Sequence, residues 1–102
     1  MDMGNDISQT LYDIALSDEY IKEQVENVTS SVREKLMRGE LVTIGYLKHT
    51  ESIIYIVKCA KRVYNRTEGG QVNKLQRKEA ARLLSEYIFM KAQENIHLKP
   101  GY

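Results

Sequence analysis

The chain has 102 residues, 42% of them apolar and 28% charged, with a formal net charge of +1; that length suits one domain with a modest core, and that balance excludes a disordered polar chain. No apolar run approaches the ~20 residues that span a bilayer, and the opening "MDMGNDISQ" is acidic and polar rather than a secretory leader, so a cytoplasmic protein without membrane contact is expected. Cys59 is the only cysteine and excludes an intramolecular disulfide, while the single proline, Pro100, leaves the chain before it free for long helices.

The first element is short. In "DISQTLYDIA", Ile7, Leu11 and Ile14 share one helical face, predicting a helix near 6–14. The second is the best defined. Ser17 is a candidate N-cap, Asp18 and Glu19 suit the positive end of a helix dipole, and Leu16 with Ile21 has the spacing of a hydrophobic staple. Ile21, Val25, Val28, Val32 and Leu36 repeat at steps of four and three. Gly39 then supplies a left-handed stop, so a helix is expected over 17–38.

"ELVTIGYL" alternates and is rich in β-branched residues, which predicts a short extended segment at 40–47. The stretch 50–66, "TESIIYIVKCAKRVYNR", admits two readings. As a helix it has Thr50 as N-cap, an apolar face of Ile53, Val57, Ala60 and Tyr64, and an end at Glu68-Gly69-Gly70. As a strand, "SIIYIVKC" has the right composition, and Gly69-Gly70 would form a hairpin turn. The last element, helical over 73–95, is dense in helix formers and has an Arg82–Glu86 pair at i,i+4. The tail "IHLKPGY" is expected to run free or to dock through Tyr102. These elements make a mainly α, single-domain protein (1–102) of about four helices.

Charge is unevenly distributed along this plan. Residues 1–47 carry nine acidic and four basic side chains, and residues 48–102 carry five acidic and eleven basic. Eight of the basic residues fall within 58–82: Lys58, Lys61, Arg62, Arg66, Lys74, Arg77, Lys78 and Arg82. Helical steps of four place Lys58, Arg62 and Arg66 in a row, and strand alternation puts Lys58 and Arg62 on one side, so the basic surface survives either reading of 50–66. Arg77, Lys78 and Arg82 oppose the N-terminal dipole of the helix they open, so helix stability does not explain their placement.

Residues Leu16-Ser17, Ile21, Val25, Val32, Leu36, Gly39-Glu40, Val42 and Ile44 resemble the N-terminal half of the HU/IHF family of bacterial DNA-architectural proteins. In that family a "LS" cap opens a long helix that ends in a Gly-acidic pair and turns into a strand. Ala60, Lys61, Arg62, Asn65 and Gly69 in "CAKRVYNRTEGGQ" are similar to its basic arm. The resemblance implies an alternative fold, an α+β intertwined dimer with a basic β-arm at 53–75 that bends DNA. The sequence departs from the family in "GYLKHTESI", in the absence of the arm's wedging Pro, and in the helix-prone "QRKEAARLLSEYIFM" where a strand belongs.

Catalysis finds no signature. His49 and His97 lie in no recognisable motif, Cys59 has no evident His partner, and no Gly-rich phosphate loop is present. Neither a metal site nor a cofactor is expected. The reading that remains is a small non-enzymatic nucleic-acid-binding or regulatory protein that contacts DNA phosphates through 58–82 with little sequence preference. The alternative is a viral or regulatory interaction factor that docks on a larger machine through its seven Tyr and four Met. A homodimer is expected, since so small a core gains from a partner surface.

Overall fold

The computed structural model describes residues 4–98. Five helices follow one another: α1 (Gly4–Ser17), α2 (Glu19–Met37), a one-turn α3 (Ile44–Leu47), α4 (Glu51–Glu68) and α5 (Lys74–Leu98). No strand occurs among the described residues. The mainly helical expectation therefore holds, and the α+β alternative with a β-arm at 53–75 does not. That segment is α4 and the turn after it.

Each boundary has a local cause. α1 runs three residues further than expected and consumes Ser17, whose hydroxyl donates back to the Asp13 carbonyl (2.8 Å). The cap of α2 passes to Asp18, which is extended and whose Oδ1 accepts from the Ile21 N–H (3.1 Å). Ser17 is thus not the N-cap. The same one-residue shift takes Leu16 and Ile21 out of staple register, although both reach the core. α2 ends in a Schellman motif: Gly39 N–H donates to the Leu36 carbonyl and Glu40 N–H to the Lys35 carbonyl, both at 3.0 Å, with Gly39 at φ 84°.

The segment 40–47 is only partly extended. Thr43 has extended dihedrals, but its hydroxyl caps Tyr46 N–H (3.1 Å) and Ile44–Leu47 closes into one helical turn. No neighbouring strand is present to satisfy the backbone of this segment, so its amides are satisfied within the turn instead. Val42 and Leu47 are buried and pin it to the core.

Thr50 caps α4 as expected, accepting from Ile53 N–H (3.4 Å), and Gly69 at φ 73° terminates it. α5 opens on a reciprocal capping box in which Gln76 N–H donates to Asn73 Oδ1 and Asn73 N–H to Gln76 Oε1, both at 2.8 Å. It continues through Leu98, so Ile96–Leu98 are helix rather than free tail. Tyr102 lies outside the described residues.

α1 sits against α2, α4 and α5, and α2 packs most extensively on α5. The core is aliphatic: Leu11, Ile53, Leu84 and Ile88 are all 0% exposed. Burying each is worth about 1.5–3 kcal/mol relative to leaving it in water. α5 is packed by α1, α2, α3 and α4, which is why it shows no single apolar stripe. Tyr12 and Tyr87 meet edge to face at 6.1 Å, whereas Tyr55 and Met90 stay at the surface. Tyr55 instead shares a hydroxyl–hydroxyl hydrogen bond (2.8 Å) with Tyr20, tying the first turn of α2 to α4.

Candidate nucleic-acid interface

The connection at 69–73 has five residues, and so short a link returns α5 antiparallel beside α4. Between the two helices lies an open groove of about 590 Å³. One wall is Ile54, Val57, Lys58 and Lys61 of α4, and the other is Lys74, Arg77, Lys78 and Ala81 of α5. Each set has the spacing i, i+3, i+4, i+7 of a single helical face. Lys48 and His49, from the connection between α3 and α4, close one end. Six Lys or Arg side chains and one His thus surround the groove, and its lining contains no carboxylate.

Of the lining residues Ile54, Val57 and Ala81 are apolar, and the others are Lys, Arg or His. Ile54 is 54% exposed, whereas Val57 and Ala81 are buried. Arg77 is steadied by an Nη1 hydrogen bond to the Val72 carbonyl (3.1 Å), which leaves its other donors free. None of the six cations forms an ion pair among the described residues.

Five of the eight basic residues singled out in the sequence come together here: Lys58, Lys61, Lys74, Arg77 and Lys78. Arg62 and Arg66 are exposed on α4 but do not line the groove. Lys58 stands at one edge of the lining face; a step of three to Lys61 turns about 60° back across that face, whereas each step of four, to Arg62 and then Arg66, turns about 40° further away from it. Arg82 is engaged elsewhere, paired on α5 with both Glu79 and Glu86. Its hydrogen bonds hold the Glu79 carboxyl below the usual carboxylate range, with help from the Lys48 charge, and they raise the Arg82 guanidinium above its ordinary value.

Lys48 and His49 were missed in the sequence. They precede the Thr50 cap, and only the fold of the chain over α5 brings them to the groove. Lys48 is close enough to α5 to act on Glu79, consistent with the packing of α3 on α5.

Among the described residues no group of His, Cys, Asp or Glu could hold a metal ion, and no helix is long and apolar enough to cross a membrane. Comparison with known protein families, with curated proteins and with solved structures finds no match.

Proposed function

We propose that this protein is a non-enzymatic nucleic-acid-binding factor whose contact surface is the α4–α5 groove. One observation carries the reading: six cationic side chains converge on one concave surface whose lining offers no carboxylate to neutralise them. Such clustering opposes folding through self-repulsion, and a polyanion relieves it. The phosphates of a nucleic acid present several charges along one line, matching two facing rows of Lys and Arg better than a single small anion does.

The test is a titration of a labelled oligonucleotide, as single strand and as duplex, across a salt series. If all six groove cations meet phosphates, log K against log[salt] should fall with a slope of about −4 to −5. Lys58→Ala, Lys61→Ala and Lys78→Ala combined should roughly halve that slope. Absence of binding at low salt, or a triple variant with the original slope, would sink the proposal.

A further inference from the structure

We infer that the groove's ligand is a single-stranded nucleic acid rather than a duplex, an inference that rests on the reading above. Charge alone does not separate the two, since both present phosphates. The apolar part of the groove's lining does. Ile54 is 54% exposed and, with the more buried Val57 and Ala81, forms an aliphatic floor among the cations. Phosphate cannot cover that floor, because an ion set against aliphatic carbon loses water and gains no partner.

A duplex turns its phosphates outward and keeps its base faces stacked within. It would meet the cationic rims and leave Ile54 against charge. A single strand exposes base faces, which are apolar, and its flexible backbone lets phosphates reach the surrounding cations while a base lies on Ile54. Any base offers such a face, so the contact is tolerant of sequence. The lining contains no Asn, Gln, Asp or Glu side chain, the groups that read adenine and cytosine edges. No tyrosine lines the groove either, so the base contact is aliphatic burial rather than aromatic stacking. The face from 54 to 61 is about 10 Å long, which limits the site to a few nucleotides.

The experiment uses the full chain and one mixed-sequence, fluorescein-labelled oligodeoxynucleotide, free and annealed to its complement, read by anisotropy at equal salt. The single strand should bind about tenfold or more tighter than the duplex. Ile54→Ser should weaken single-strand binding about fivefold, the loss of roughly half an isoleucine's burial, without changing the salt slope. Ile54→Leu should retain affinity, and circular dichroism should show both variants as helical as the parent. Lys58→Ala with Lys78→Ala should instead flatten the single-strand slope by about 1.4. A duplex that binds as tightly as the strand, or a folded Ile54→Ser with parental affinity, overturns the inference while leaving nucleic-acid binding in place. Failure of both forms to bind overturns nucleic-acid binding itself.

Discussion

Ser85 illustrates how much a single position can carry. It lies in the middle of α5, 0% exposed, and its hydroxyl has no hydrogen-bond partner. A buried hydroxyl without a partner is a net loss against water, and serine is also a weaker helix former than alanine. Ser85→Ala should therefore stabilise the protein by about 1 kcal/mol in urea unfolding. A variant that is less stable than the parent would show that the hydroxyl is satisfied after all. Buried hydroxyls elsewhere do have partners: Ser8 donates to the Gln76 carbonyl (3.2 Å) and Thr29 to the Val25 carbonyl (2.8 Å). The capping of α2 belongs to this scale too. Ser17 and Asp18 are adjacent and both competent as N-caps. What decides between them is that α1 extends far enough to take Ser17 into its last turn, where its hydroxyl is spent on Asp13.

At the scale of elements, local chemistry was largely legible. The apolar stripe of α2, the Gly39 stop, the Thr50 cap and the Gly69 terminus all appear where residue types alone place them. The segment 40–47 was less so, because β-branched alternation becomes a strand only if another strand is there to pair with it. The ambiguity at 50–66 has a similar origin: Ile53, Ile54, Tyr55, Ile56 and Val57 suit either state, and packing against α1 and α5 decides it as helix. The groove divides the basic residues of α4 by rotation about the helix axis, and this is open to direct test. Lys61→Ala should weaken oligonucleotide binding on the order of threefold at moderate salt and lower the salt slope by about 0.7 to 0.9. Arg66→Ala should leave both nearly unchanged. Equal effects at the two positions would mean that the ligand follows the 58/62/66 row instead of the groove.

At the scale of the whole molecule, the charge asymmetry of the sequence falls on different helices. α1 and α2 carry the acidic excess: Glu19, Glu23, Glu26 and Glu34 stand exposed along α2 without an ion pair among the described residues. α4 and α5 carry the basic excess, nine Lys or Arg against five Glu. Such an arrangement would orient the protein as it approaches a polyanion, presenting the groove first. It also predicts a trade between stability and binding. Lys58→Ala, Lys61→Ala and Lys78→Ala together should raise Tm by roughly 3–5 °C at low salt by relieving repulsion, and the gain should vanish in about 1 M salt, where charges a few ångströms apart are screened. A triple variant melting at or below the parent at low salt would mean that the aliphatic stems of these lysines stabilise the fold more than their charges destabilise it.

The sequence by itself determined the helical class, most of the helix ends and the sign of the charge on each half, because caps, periodicity and composition act over a few residues. Only the tertiary structure decided which cations meet. That Lys48 and Lys61, and not Arg62, line one groove with Lys74 depends on the return of the chain at 69–73 and on the rotation of two helices about their axes. Those are set by burial of Ile53, Ile56, Leu84 and Ile88 in the core.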